Sequence, residues 1–462
     1  MEYRIENDSI GSKEVPKDAY YGVQSLRGYE NFRISGLSLE ESFIKSLALV
    51  KKACAITNYE VNELDENLKN AIVKACDDIL EGKYIDQFIL DPIQGGAGTS
   101  TNMNMNEVLS NIANEYLGYE KGKHYPIHPN DHVNMGQSTN DVIPTAGLIN
   151  CYMLLKDCLE ELEKFKDSLL NKGIEFEDVV KMGRTEMQDA VPMSLGSEFN
   201  SYGKAVNRDI KRLKERLEEL LVVNLGGTAI GTGMNANPEY IKKVCENLNK
   251  LSGLNITQAE DLIDSTQNAD IIASLSSDLK VCAINLSKIA GDLILMSSGP
   301  RTGFGEIILP SKQNGSSIMP GKVNPVMPEL LKQISFQIIG NDTTVTLATQ
   351  SGQLELNAFY PIILLNVFQS IRILRNGIET VRKNCIEGIE ANRERCKSLV
   401  ENSIGIVTAF APSLGYEKSA YIAKKALKLN RNIIEVIKEE VDLKEEEIKE
   451  TLNIDKMIRR IS

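Results

Sequence analysis

Eight apolar residues, Ile272, Leu275, Leu279, Cys282, Leu286, Ile289, Leu293 and Met296, follow one another in steps of three and four. A repeat of about 3.5 residues keeps all eight on one narrow stripe of an α-helix roughly 36 Å long. Such a stripe is buried only against other long helices crossing at a shallow angle, so it constrains the fold more than any other feature of the chain. Four further segments step in the same way: Leu155, Cys158, Leu162, Phe165 and Leu169; Val206, Ile210, Leu213, Leu217 and Leu220; Leu364, Val367, Ile371, Leu374, Ile378 and Val381; and, less cleanly, Leu331, Ile334, Ile338, Asn341, Val345 and Ala348. Together they predict an all-α, mainly helical chain built on a long-helix bundle, whose length suggests more packing than one subunit can offer and leaves open what covers the surplus apolar surface.

At 462 residues the chain exceeds the roughly 250–300 at which a single core stops growing. Loops rich in Gly, Asn and Pro mark residues 1–138 as a mixed N-terminal region, the seams place the bundle at 139–395, and 396–462 read as a small C-terminal helical region. The charge run Lys444-Glu445-Glu446-Glu447 in the last region reads as a solvated helix face. No apolar run of the ~20 residues needed to span a bilayer stands out. The acidic start Met1-Glu2-Tyr3-Arg4 lacks the basic and apolar parts of a secretory signal, so a cytoplasmic protein away from membranes is expected. A formal charge of −12 argues against nucleic acid as a partner. Eight cysteines, scattered from Cys54 to Cys396 without C-x-x-C spacing, suit buried reduced thiols better than disulfides or zinc ligands.

Residues 315–328, Gly-Ser-Ser-Ile-Met-Pro-Gly-Lys-Val-Asn-Pro-Val-Met-Pro, have the composition of a site. The Gly-Ser-Ser turn leaves backbone N–H groups able to face an anion, and Lys322 and Asn324 add a charge and an amide beside it. Pro320 and Pro325 forbid a regular helix, so a loop that closes over a small carboxylate and feeds a helix starting near Pro328 is expected. Gly95-Gly96-Ala97-Gly98-Thr99-Ser100-Thr101-Asn102 is a second candidate, a glycine turn that lets N–H groups approach an oxyanion, though any tight loop reads the same. In Gln137-Ser138-Thr139-Asn140-Asp141 the hydroxyls suit either a carboxylate or the N-cap of a helix beginning near Pro144.

Within a net acidic chain an anion site needs local cations, which singles out Lys322, Arg27, Arg184 and Arg301 by sign, with most expected to pair structurally. Two other patterns fail. His124, His128 and His132 have helical spacing for a metal, but Pro126 and Pro129 interrupt the helix. Gly226 and Gly231 have P-loop spacing, but Thr232-Gly233 replaces the required Lys-Ser/Thr.

The string Gly315-Ser316-Ser317-Ile318-Met319-Pro320-Gly321-Lys322-Val323-Asn324-Pro325 resembles the signature of the aspartase/fumarase superfamily, and the likeness runs from Arg4-Ile5-Glu6 through Tyr21-Gly22-Val23 to Ser403-Ile404-Gly405-Ile406-Val407. It implies a helical-bundle homotetramer in which each active site draws on three subunits, and the reversible elimination of ammonia, an amine or water to give fumarate, without an organic cofactor. By transfer, Ser316 is the catalytic base. Thr99, Ser138, Thr139 and Ser317 cradle the carboxylate beside the acidic carbon, while Thr185, Lys322 and Asn324 hold the other. Asn140 and Glu186 lie near the amino group.

Ala97-Gly98-Thr99-Ser100-Thr101-Asn102 and Ser138-Thr139-Asn140-Asp141 resemble the ammonia-eliminating members, so elimination of ammonia from L-aspartate is expected. Hydration of fumarate is the alternative, and a silent scaffold of the same fold a remote one. Glu186, in Gly183-Arg184-Thr185-Glu186-Met187-Gln188-Asp189-Ala190-Val191-Pro192, stands where relatives carry His or Gln. A carboxylate there either pairs with the leaving ammonium or turns away to a surface cation. His128-Pro129-Asn130-Asp131 resembles a second, non-catalytic anion pocket of the water-eliminating members.

Overall fold

The computed structural model describes residues 2–441 and 444–451. In chain order these form a hairpin of β1 (Tyr3–Asn7) and β2 (Ser12–Pro16), then α1 (Val23–Asn31), α2 (Glu41–Glu60), α3 (Glu66–Leu80), α4 (Thr99–Tyr116) and α5 (Thr139–Glu175). A second hairpin, β3 (Val180–Thr185) and β4 (Gln188–Ser194), leads into α6 (Leu195–Glu219), α7 (Pro238–Ser252), α8 (Leu262–Gln267), α9 (Asp270–Met296), α10 (Val326–Thr349), α11 (Tyr360–Asn384) and α12 (Arg393–Asn402). Short helices fill the C-terminal part as far as Thr451, the charge run among them at Glu445–Thr451. Helix makes up 63% of the chain and every sheet is a two-stranded ribbon, so the chain is all-α in class as the seams predicted.

Each predicted seam lies on one of the five longest described helices, save that Leu220 falls one residue past the end of α6. Those on α5, α9 and α11 are buried at every position, and elsewhere only Leu217 and Ile334 are half-buried. One correction concerns α5, which by length and composition is apolar enough to cross a membrane. Within the fold 72% of its most apolar window is buried, as in a core helix of a globular domain. All eight cysteines are buried, and none forms a disulfide among the described residues.

By packing the chain forms two compact units, each discontinuous in sequence. Unit 1 is Met1–Leu159, Lys211–Val281 and Gln337–Leu374; unit 2 is Glu160–Ile210, Cys282–Phe336 and Arg375–Ser462. In unit 1, α2 packs on α3 and α7, and α4 packs on α3 and α1. The first turn of α1 has no side-chain cap of its own. Instead the buried Glu107 carboxylate of α4 accepts from the backbone N–H groups of Gly22, Gln24 and Ser25 at 2.9–3.0 Å, satisfying donors a helix start leaves open. A Cβ at Gly22 would lie 2.7 Å from the Glu107 and Glu6 carboxylates, so only glycine fits there. This tie fixes α4, whose first residue is Thr99.

In unit 2 the β3–β4 hairpin rests on a C-terminal core. Val180 and Met182 pack with Val400, Ile406, Phe410, Ile422 and Val436. Beneath the hairpin the fully buried Glu306 accepts from Arg184 Nη1 at 2.9 Å and lies 3.6 Å from Lys181 Nζ.

Candidate active site

Unit 1 holds Thr99, Ser138, Thr139 and Asn140. Gly98, at φ +96° with Ile143 3.2 Å from any added Cβ, turns the chain into α4 and leaves Thr99 exposed in its first turn. The Thr99 hydroxyl donates to Gly96 O at 2.8 Å. Ser138 is the N-cap of α5: its Oγ accepts from Asn140 N–H at 3.2 Å, and its own N–H donates to Asp141 Oδ1 at 2.9 Å. The hydroxyl thus caps the second helical N–H, while aspartate in the third helical position reaches back to the cap N–H as in a capping box.

The helix therefore begins at Thr139, five residues before the expected start at Pro144, and the proline lies inside it. Proline lacks the N–H that would bond Asn140 O. Asn224 Nδ2 supplies the missing donor at 2.9 Å, which is why the helix tolerates the proline. The Asn140 side chain donates to Ala229 O at 2.7 Å.

Asp141, fully buried, also accepts from the N–H groups of Gly226 and Thr228 at 3.2 and 3.1 Å. The glycine-rich segment with P-loop spacing thus turns its N–H groups onto a carboxylate of its own chain. Burial pushes the Asp141 carboxyl up to about 6, against the pull of the three N–H donors. Deeper still, the fully buried Lys51 of α2 donates to Asn134 Oδ1 at 3.0 Å and Gln137 Oε1 at 2.8 Å. Burial draws its ammonium down to about 8.

Thr99 also lines a cleft of about 450 Å³ with Asn7, Asp8, Arg27, His124, His128 and Asn130 among its walls. His128 does not present its Nδ1 to this cleft, because that atom accepts the N–H groups of Asn130 and Asp131 at 3.2 Å. Arg27 is committed to Asp8 through Nε at 2.8 Å.

Unit 2 holds Thr185, Glu186, Ser316, Ser317, Lys322 and Asn324. Thr185 pairs with Gln188, leaving Glu186 and Met187 as a two-residue turn at φ 52° and 64°. Both φ values are positive, which defines the mirror-image turn that a right-twisted hairpin prefers. The tip is exposed, and among the described residues Glu186 makes no ion pair.

The loop before α10 is closed at its neck by Gly315 N–H to Lys322 O and Asn324 Nδ2 to Gly315 O, both 2.8 Å. A Cβ at Gly315 would lie 2.5 Å from Lys322 O, so glycine is required. Within the loop the N–H groups of Ile318 and Met319 converge on Ser316 Oγ at 3.2 and 3.0 Å. Ser317 and Lys322 are exposed. The helix that follows starts at Val326, two residues from the expected Pro328.

The structure thus gathers Ser138, Thr139 and Asn140 at one helix start, ties that start to the α4 helix of Thr99 through Asn102, whose Nδ2 lies 3.3 Å from Thr139 Oγ1, and gathers Ser316, Ser317, Lys322 and Asn324 on one loop. Among the described residues no hydrogen bond links that loop to the hairpin tip with Thr185 and Glu186. Of the four cations singled out by sign, Arg27 and Arg184 are structural, and Arg301 and Lys322 are exposed. The sequence gives Asp141 only as part of the Gln137–Asp141 cluster, with no role of its own, and passes over Lys51. Lys51 did leave a signal: it interrupts the apolar stripe Ile44, Leu47, Cys54 on α2.

A family model described as "Lyase" matches residues 11–340, and one described as "Fumarase C C-terminus" matches 406–459. The aspartate ammonia-lyase of Bacillus subtilis (strain 168) is 52% identical over 98% of this chain and 95% of its own length. That of Escherichia coli (strain K12) is 44% identical over 98% and 96%. Among solved structures, a fumarate lyase:delta crystallin from Brucella melitensis bound to cobalt superposes with a TM-score of 0.96 at 45% identity, covering 99% of this chain and 100% of its own. A class II fumarase from Schistosoma mansoni does so with 0.95 at 34%, covering 99% of each. A likeness this long, carried by the signature loop and the bundle alike, places the chain in the lyase family of the aspartases and fumarases.

Proposed function

We propose that this chain is an aspartate ammonia-lyase, interconverting L-aspartate with fumarate and ammonia. The near full-length likeness to aspartate ammonia-lyases supports the substrate, and the Ala97-Gly98-Thr99-Ser100-Thr101 and Ser138-Thr139-Asn140-Asp141 segments agree with it. The observation that carries the mechanism is the pair of N–H groups on Ser316 Oγ, because an unassisted serine is a poor base and these donors stabilise its alkoxide.

Deprotonated Ser316 takes the proton from Cβ, and the electron pair moves onto the adjacent carboxylate, giving a doubly charged aci-carboxylate. Thr99, Ser138, Thr139 and Ser317 donate to that group. Thr185, Lys322 and Asn324 hold the second carboxylate, with Asn140 and Glu186 beside the amino group. The C–N bond then breaks, its electrons leaving with nitrogen as ammonia while the double bond of fumarate forms. Each preorganised donor is worth roughly 3–4 kcal/mol of barrier in a site from which water is excluded. The enzyme works in the cytoplasm as a homotetramer whose sites draw on three subunits, and residues 1–138, 139–395 and 396–462 act as its N-terminal, bundle and C-terminal parts.

The test is the far-ultraviolet absorbance of fumarate, followed first with L-aspartate and then with L-malate. Signal with aspartate supports the proposal. Signal with malate alone makes the chain a fumarate hydratase, and none with either makes it a scaffold.

A further inference from the structure

Lys51 is an ammonium with no exposed surface, held by two amide oxygens and with no carboxylate within ion-pair distance among the described residues. Burying such a charge is costly and gains nothing from packing that a methionine would not provide. Its particular property is that it donates and never accepts while charged. The surrounding amides follow from that. Asn134 must turn Oδ1 toward Lys51, and Gln137 must turn Oε1 toward it, leaving Gln137 Nε2 to donate to Val133 O and Met135 O at 2.9 and 3.1 Å.

With Asn134 Oδ1 fixed as an acceptor, the buried α4 residues Asn102 and Asn106 must each present Nδ2 to it, both at 3.1 Å. The second hydrogen of Asn102 Nδ2 then faces Thr139 Oγ1 at 3.3 Å. A hydroxyl whose lone pair is engaged in this way keeps its proton for another partner.

We infer that Lys51 is a positioning residue: acting through Asn134 and Asn102, it sets the donor sense of a buried amide chain so that the Thr139 hydroxyl is left to donate to the substrate carboxylate. This rests on the placing of Thr139 at that carboxylate, as proposed above.

The experiment uses the full-length protein with succinate as probe, its Kd measured by calorimetry. Thr139→Val tests the underlying reading, and unchanged succinate binding there would remove Thr139 from the site. Given a loss with Thr139→Val, two isosteric changes decide the inference. Asn134→Asp keeps an acceptor facing Lys51 and Asn102 and gives up only the 3.3 Å bond from Asn134 Nδ2 to Gln137 O, and binding should stay within about three-fold of the parent. Asn102→Asp turns the donor into an acceptor and draws the Thr139 proton inward, and Kd should rise about ten-fold or more, with no further rise in the Thr139→Val background. Lys51→Met should match Asn102→Asp; where it fails to fold, the two aspartate variants carry the decision. Equal losses for Asn134→Asp and Asn102→Asp, or an Asn102→Asp loss that adds fully to Thr139→Val, would overturn the inference, since a purely structural network predicts those outcomes.

Discussion

The start of α5 and the loop before α10, whose hydroxyls the proposed mechanism assigns to the substrate, are held in opposite ways. Ser138 and Thr139 are anchored from below, by a buried carboxylate taking three backbone N–H groups and by a buried lysine ordering four amide side chains through direct and relayed bonds. Ser316 stands on a loop that is exposed along most of its length and, among the described residues, is tied by hydrogen bonds at its neck and through its own turn. The contrast suits the chemistry. Groups that bind a permanent negative charge gain from being fixed beforehand, whereas the base proposed at Ser316 would have to admit its substrate before enclosing it.

The contrast breaks most visibly at Ser316. Ser316→Ala should lower kcat by roughly 10²–10⁴-fold, the usual worth of a positioned base, while succinate Kd changes no more than about two-fold. A comparable loss of binding would place Ser316 with the anchoring groups instead. Asp141→Asn strikes the other side. An amide cannot accept at both ends, so at least one of the three backbone N–H groups is left facing an NH₂ group; urea unfolding should show about 2–4 kcal/mol of destabilisation.

Lys51 sharpens the comparison through pH. Its ammonium titrates at about 8 when folded against an ordinary 10.5, so below pH 8 both states carry the proton and the burial cost is fully present. From there to 10.5 the unfolded chain holds more protons, and this group's contribution to stability should rise with pH by roughly 3 kcal/mol. Unfolding curves across that range should show the rise in the parent and not in Lys51→Met. The smallest effect belongs to the hairpin tip: Met187→Gly removes a left-handed side chain and should stabilise by about 1 kcal/mol in the same assay.

What the chain disclosed in advance divides along physical lines. Helix seams are local and periodic, so α5, α6, α9, α10 and α11 could be counted from spacing, and the prolines and glycines of the Ser316 loop announced an irregular segment with a helix behind it. Partners from distant positions could not be read. Pro144 looked like a boundary because nothing near it in sequence offers the donor that Asn224 provides. Gly226 and Gly231 looked like a failed phosphate loop because Asp141 lies more than eighty residues earlier. Arg27 and Arg184 matched Lys322 in sign, and only the fold revealed Asp8 and Glu306 beside them.

The first turn of α5 is completed by chain that is synthesised later. Asn140 O, and both loop bonds to Asp141, wait for residues 84, 85 and 87 positions downstream. Closing a span of that length costs entropy before any bond forms, so this turn belongs among the late events of folding even though its helix is among the longest. Until residues 224–228 arrive, a nascent chain carries a proline-weakened helix end, and the amides of Gly226 and Thr228 should gain their protection from hydrogen exchange in the same kinetic step as that of Ser138.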